Sequence, residues 1–342
     1  MERKDILSLS FEELSGVLEE MGEKKFRAKQ IFSWLHCKKV SDFSQMTDIS
    51  LSLRTKLEER YCINSLKIVR RLESKRDNTL KYLCELEDGN HIECVLMEYH
   101  HGNSICISTQ VGCKMGCTFC ASTIAGYRRD LTAGEMLSQV YRIEDNSHRH
   151  IDSIVLMGIG EPLDNFDNTC RFLDNISDAR GRGMSLRHVS VSTCGIVPRI
   201  RELAEKKYGI TLSVSLHCPD NEGRSRIMPV NRRYDVDELM KACREYTDAT
   251  GRRISFEYAV MNGVNDSRDD AKKLYGLLKG FMCHVNLIPV NEVKETEYKA
   301  DRHSVEVFAK MLSDYGLNVT VRRTLGADID AACGQLRREY EI

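Results

Sequence analysis

Proline is scarce in this sequence, five among 342 residues, and no tract of low complexity interrupts it. Long disordered linkers are therefore excluded. No run of 18 apolar residues occurs, so no membrane span is expected. The start, Met1 to Asp5, leads into no hydrophobic signal region. An excess of either charge is also missing: 50 basic residues face 51 acidic ones, for a formal net charge of −1. That balance neither demands nor excludes a nucleic-acid partner. An RNA-binding chain of this kind must cluster its basic residues on one face. Apolar residues make up 42%, enough for one large core and a small appended domain. Cysteine is abundant, with fourteen. Without a signal region these read as reduced thiols of a cytoplasmic protein, a few of them reactive or metal-bound.

Residues 1–65 read as helical. Ser10 and Glu13 have the spacing of a capping box, and Leu14, Val17, Leu18 and Met21 follow at helical intervals. Lys24, Lys25, Arg27, Lys29, Lys38 and Lys39 lie on solvated faces or on a nucleic-acid surface. Residues 66–104 shift to a β-rich pattern: 68–72, 80–86 and 91–97 are strand-like, with Asp88-Gly89 as a hairpin turn between the last two. From 105 to 325, apolar runs at 105–108, 153–157, 189–192, 211–216, 254–260 and 285–288 alternate with helical stretches near 132–145, 167–178, 197–207, 235–249, 267–280 and 302–315. A last strand is expected at 318–322. Six β-then-α units imply a parallel sheet covered by helices, too few for a closed eight-fold barrel. The fold class is α/β, a partial (βα)6 barrel with an N-terminal helical accessory domain and a small β extension. Residues 326–342 form a C-terminal tail.

Cys113, Cys117 and Cys120 stand at C-x3-C-x2-C spacing directly after the first barrel strand. Three thiolates this close can hold an iron–sulfur cluster. A cubane cluster has four irons, so three ligands leave one iron open to a small molecule. Chance places only about 0.02 such triplets in a chain with this much cysteine. A zinc site needs a fourth Cys or His at a suitable place, and no clear partner follows. Separate disulfides suit such short spacings less well than a metal. Other informative residues fall at strand ends, where α/β barrels carry their active sites. They are Gly158, Gly160 and Glu161 after the second strand, Ser192 after the third, Ser215, Leu216 and His217 after the fourth, and Asn291 after the sixth. Each alone could be a satisfied loop residue, and for a single Ser or His that is the commoner case.

The cysteine spacing, with Phe119 before the last Cys, resembles the signature of radical S-adenosylmethionine (SAM) enzymes, whose superfamily fold is this same partial barrel. The runs 106–113 and 328–336 narrow the resemblance to the RlmN/Cfr family of RNA adenine methyltransferases. It implies a [4Fe-4S] cluster on Cys113, Cys117 and Cys120, with the open iron binding SAM. It implies SAM contacts from Gly160, Glu161 (to the α-ammonium), Ser192, Ser215, Leu216, His217 and Asn291. Two SAM molecules are expected per turnover. Val290 stands where many relatives have an aromatic.

The resemblance also assigns two catalytic cysteines. Cys333 accepts a methyl group as an S-methylcysteine intermediate, and Cys106 is the resolving thiol that forms a transient disulfide with it. From the residues alone either is more often a small buried hydrophobe than a nucleophile. Glu93 matches a family proton acceptor, although its alternating run reads by itself as an exposed strand carboxylate. Residues 161–162, 286–289 and 322–324 look like the housekeeping branch. That branch methylates carbon 2 of adenine in 23S ribosomal RNA and in transfer RNA. The alternative branch methylates carbon 8 and confers antibiotic resistance. Arg70, Arg71, Tyr127, Arg128, Arg129, Arg180, Arg182, Arg187, Arg232, Arg233, Arg322 and Arg323 are candidate RNA contacts. A reducing partner such as flavodoxin or ferredoxin, and a monomeric state, complete the expectation. Two other readings remain: a different radical SAM enzyme on the same barrel, and a zinc-stabilised RNA-binding protein without catalysis.

Overall fold

The computed structural model describes residues 3–337. Its centre is a ten-stranded sheet whose strands lie in strict chain order. They are β1 (Lys67–Glu73), β2 (Leu80–Glu85), β3 (His91–Tyr99), β4 (Gly102–Cys106), β5 (Ser153–Leu156), β6 (Val189–Thr193), β7 (Thr211–Ser215), β8 (Ile254–Val260), β9 (Cys283–Pro289) and β10 (Val319–Val321). The first four run antiparallel; β4 to β10 are parallel. Successive parallel strands must be joined by crossovers. These are the helices α4 (Ala133–Ser147), α5 (Phe166–Ser177), α6 (Val197–Lys206), α7 (Asn221–Ile227) with α8 (Val236–Thr250), α9 (Arg268–Leu278) and α10 (Arg302–Asp314). Six βα units and a last strand make an open barrel, as the alternation of apolar runs predicts. β1 and β10 do not pair, so the sheet does not close.

The N-terminal region contains α1 (Phe11–Glu20), α2 (Phe26–His36) and α3 (Leu51–Arg60). The Ser10–Glu13 capping box forms, with both reciprocal bonds present. The helical reading missed a two-residue parallel pair, Lys4–Asp5 on Tyr61–Cys62, too short to leave a pattern. This region docks on the start of α4. Thr132 Oγ1 donates to Asp5 Oδ2 at 3.2 Å, and Gly134 N donates to Ser8 Oγ at 2.9 Å. A Cβ on Gly134 would overlap Asp5, which is why the approach needs glycine. Burial pushes the Asp5 carboxyl up to about 6, against the bonds it accepts from Asn64 and Leu7. The apolar residues of this region and of the barrel form one continuous core.

Candidate functional site

The C-terminal ends of the parallel strands surround a cleft of about 980 Å³, open to solvent. Cys113, Cys117 and Cys120 line one wall. Their loop follows a turn at Gly112 with φ +77°, where an added Cβ would meet Gly126 O at 1.7 Å. Burial pushes all three thiols up, Cys113 to about 12. Among the described residues no group of three His, Cys, Asp or Glu closes on a single ion. Mononuclear zinc would need its sulfurs all within about 2.3 Å of one point.

The opposite wall is made of strand ends. Gly160 has φ +106°, and an added Cβ would lie 2.6 Å from Gln110 Cβ. Glu161 is 4% exposed and accepts from Leu163 N at 2.9 Å and Cys194 N at 2.7 Å. Burial raises its carboxyl, and these two bonds work against the rise. A carboxylate has about four acceptor positions, so further donors can be accommodated. Ser192, Ser215, His217 and Asn291 line the same cleft. His217 Nδ1 accepts from Ala259 N at 2.8 Å, which leaves Nε2 as the protonated donor. Burial, and then the Arg224 charge, push this imidazole down to about 3, so it is neutral. Its ring meets Phe119 edge-on at 4.9 Å. Leu216 does not reach the cleft: its side chain lies in the core, its N–H donates to Glu257 O at 3.0 Å and its carbonyl accepts from Arg224. Val290 lines the cleft and packs with Cys194, Met228 and Ala259.

A second, smaller cavity adjoins the first. Cys106 lines it beside Val95, Met97 and Tyr99. Cys333, Arg322 and Asn291 line both cavities. Burial, and then the neighbouring Cys333 thiol, push Cys106 up to about 12. Arg322 is held in its charged form chiefly by that same Cys333 thiol. The tail around Cys333 is closely packed, and bonds hold it from several sides. Asn291 Nδ2 donates to Cys333 O at 2.9 Å, Ala121 N to Gly334 O at 2.8 Å, and Ser122 Oγ to Leu336 O at 2.9 Å. The β extension holds the other flank: Ser74 Oγ donates to Asp328 at 2.7 Å, and Lys81 Nζ to Asp330 O at 2.9 Å.

The strand alternation around Glu93 suggested an exposed carboxylate; the structure corrects this. Glu93 is 0% exposed, paired with Lys81 at 2.6 Å and accepting from Arg337 N at 2.7 Å. Both faces of β3 are covered, one of them by the tail. Glu93 itself lines neither cavity. Burial raises its carboxyl to about 7, against the nearby Lys81 charge.

The basic candidates divide. Arg322 lines both cavities and the exposed Arg323 the rim of the second, while Arg70, Arg71, Arg128, Arg187, Arg232 and Arg233 are exposed. Arg129 pairs with Asp88 and Glu135, Arg180 with Glu12 and Asp178, and Arg182 with Glu144. Glu257, Met157 and Arg224 were not found from the sequence. Glu257 is a buried member of an apolar strand that also lines the cleft, and a carboxylate inside such a strand was the available signal.

Two family models match. One, for the ribosomal RNA large subunit methyltransferase N-terminal domain, covers residues 4–63; the other, for the radical SAM superfamily, covers 107–275. A protein of Lachnoclostridium phytofermentans described as "Probable dual-specificity RNA methyltransferase RlmN" is 52% identical, over 99% of this chain and 96% of its own length. One of Clostridium perfringens with the same description is 51% identical, over 98% and 97%. The crystal structure of a radical SAM methyltransferase from Sphaerobacter thermophilus superposes with a TM-score of 0.94 at 40% identity, covering 98% of this chain and all of that one. With half its residues shared over nearly its whole length, this chain belongs to the RlmN family of radical SAM RNA methyltransferases.

Proposed function

We propose that this enzyme methylates carbon 2 of an adenine in 23S ribosomal RNA and in transfer RNA, using Cys333 as methyl carrier and Cys106 as resolving thiol. The observation that carries the reading is the place of Cys333, which lines both the cleft with the three cysteines and the cavity that contains Cys106. The cleft fits the cofactors that the family implies. Its wall of three thiols suits a cluster, whose ligands sit on different irons. Gly160 leaves the backbone open beside Glu161, a buried carboxylate suited to an ammonium group. Ser192, Ser215, the Nε2–H of neutral His217 and Asn291 present polar groups to the rest of SAM.

Held by Cys113, Cys117 and Cys120, the cluster with SAM would supply the one-electron chemistry that removes hydrogen from an S-methyl group. The chain's own part begins with Cys333. As a thiolate it displaces the methyl group from SAM. Arg322 lines both cavities beside it. The S-methylene radical formed by that hydrogen removal joins the adenine ring carbon, linking protein to RNA. The adduct gives up one electron, equal to the one consumed in forming the radical. Glu93 accepts the ring proton, and its carboxyl near 7 suits a base at neutral pH. Cys106, losing its proton, attacks the Cys333 sulfur and closes a disulfide; the carbon–sulfur bond breaks, its electron pair passes to the base, and the freed methylene takes up a proton to become the methyl group. Because Glu93 lies under residues 330–337, the tail shifts before the ring proton is transferred. Flavodoxin or ferredoxin is the proposed electron source, and a cytoplasmic monomer the proposed state. Among the described residues no helix is long and apolar enough to cross a membrane.

The test is nucleoside mass spectrometry after reaction of the anaerobically reconstituted enzyme with 23S and transfer RNA fragments. Wild type is expected to give 2-methyladenosine, Cys106→Ala a trapped protein–RNA adduct, and Cys333→Ala neither. Product consisting only of 8-methyladenosine, or turnover by Cys333→Ala, overturns the proposal.

A further inference from the structure

Arg224 is the largest fully buried side chain of the described residues, at 0% exposure. It sits on α7, whose following loop carries Met228 to the cleft wall. Every acceptor around its guanidinium is neutral. Nε donates to Leu216 O at 3.2 Å, Nη1 to Asn231 Oδ1 at 3.0 Å, and Nη2 to Cys194 O at 2.5 Å and Ser215 O at 3.1 Å. Among the described residues it makes no ion pair with a carboxylate. The ionisable groups that bear on it most are thiols: Cys194, Cys117, Cys218 and Cys243.

A buried cation without a counter-ion is costly, and proteins almost always give it a partner. The cysteine loop packs directly on α7: Thr118 N donates to Ile227 O at 3.0 Å, and Cys117 packs with Cys194, Cys218, Ile227 and Met228. The missing negative charge therefore belongs on the Cys117 side. Three thiolates around an iron–sulfur cluster would supply it.

We propose that Arg224 is the buried counter-charge of the cluster and sets its reduction potential. This rests on the reading that Cys113, Cys117 and Cys120 hold the cluster. Reduction adds an electron, and a fixed positive charge favours the more negative state. The residue therefore raises the potential. Its fork of four bonds also ties the ends of β6 and β7 together, which a neutral replacement would loosen and a lysine would partly keep.

The experiment is a potentiometric titration of the reconstituted protein, read by the electron paramagnetic resonance of the reduced cluster. Iron and sulfide content are measured in parallel. Arg224→Met is expected to retain iron while its reduction equilibrium shifts about tenfold toward the oxidised form, about 59 mV lower. Arg224→Lys, which keeps the charge, is expected within about threefold of wild type. An iron-loaded Arg224→Met with the wild-type potential overturns the proposal. If Arg224→Met takes up no iron, the lysine variant decides: a shift of about tenfold or more in it overturns the proposal. Wild type that binds no iron would instead refute the cluster assignment, a failure separate from this one.

Discussion

Replacing Lys81 by methionine should turn Glu93 from a paired carboxylate into an uncompensated one. The two side chains are diagonal neighbours on β2 and β3, 4% and 0% exposed, and 2.6 Å apart. The other charged groups facing this site belong to the tail, Arg337 and Asp330. Burial already raises the Glu93 carboxyl from 4.5 to about 7. A rise of that size corresponds to roughly 3 kcal/mol between the two protonation states. The raised value gives the sign. The folded protein binds this proton more tightly than the unfolded chain. The associated stability is fully present below pH 4.5 and is lost as pH rises through about 7. Lys81 opposes this loss. Without it the carboxyl rises further, and the loss continues to higher pH.

Breaking a buried pair by removing one partner costs about 3–5 kcal/mol. Urea unfolding of wild type, Lys81→Met, Glu93→Gln and the double variant, between about pH 5 and about pH 9, measures this. Lys81→Met should lose about 3 kcal/mol or more near the upper end and much less near the lower. The double variant should recover most of the loss. A loss under about 1 kcal/mol that is the same at both ends would refute the coupling. The same variant should accumulate protein–RNA adduct at neutral pH, because a protonated Glu93 accepts no proton.

Three further expectations follow from the cleft and the tail. Gly160→Ala adds a Cβ 2.6 Å from Gln110 in a left-handed backbone, so SAM affinity by titration calorimetry should fall at least about tenfold, or about 1.4 kcal/mol. Asn291→Ala removes the bond to Cys333 O, worth about 1 kcal/mol, and hydrogen exchange across 330–337 should quicken several-fold without change in β8. His217, pushed down to about 3 by burial, should show no imidazole titration by NMR between about pH 5 and pH 8. The stability tied to its neutral form is present above pH 6.5 and falls as pH drops toward 3.

The barrel was readable because each strand is a short apolar run and each crossover helix repeats at 3.6 residues, as in Ile254–Val260 followed by Arg268–Leu278. Glycines at the strand ends were readable for the same local reason. Glu93 was not. Alternation implies a solvent side, yet Val95 and Met97 share its face, and that face is covered by residues some 240 positions later. The apolar neighbours were the available signal. Arg322 stood with Arg323 as a candidate RNA contact, because a dipeptide of arginines does not reveal that one of them reaches both cavities. Leu216 fell within the run expected to contact SAM, but strand periodicity sends its side chain to the core. Lys81 and Arg224 matter through partners far along the chain, Asp330 for one and Cys194 for the other, and no spacing rule reaches them.

The tail that presents Cys333 has a consequence for biosynthesis. Its anchors join Ser74 to Asp328 and Glu93 to Arg337, across 254 and 244 positions. At about 5–20 residues per second, roughly 12–50 s separate the emergence of Glu93 from that of Arg337. During that interval the nascent barrel shows Val95, Met97 and Ile159 uncovered, since Leu325, Ala331 and Leu336 have yet to be made. A prematurely terminated product would therefore lack Cys333 and expose an apolar face.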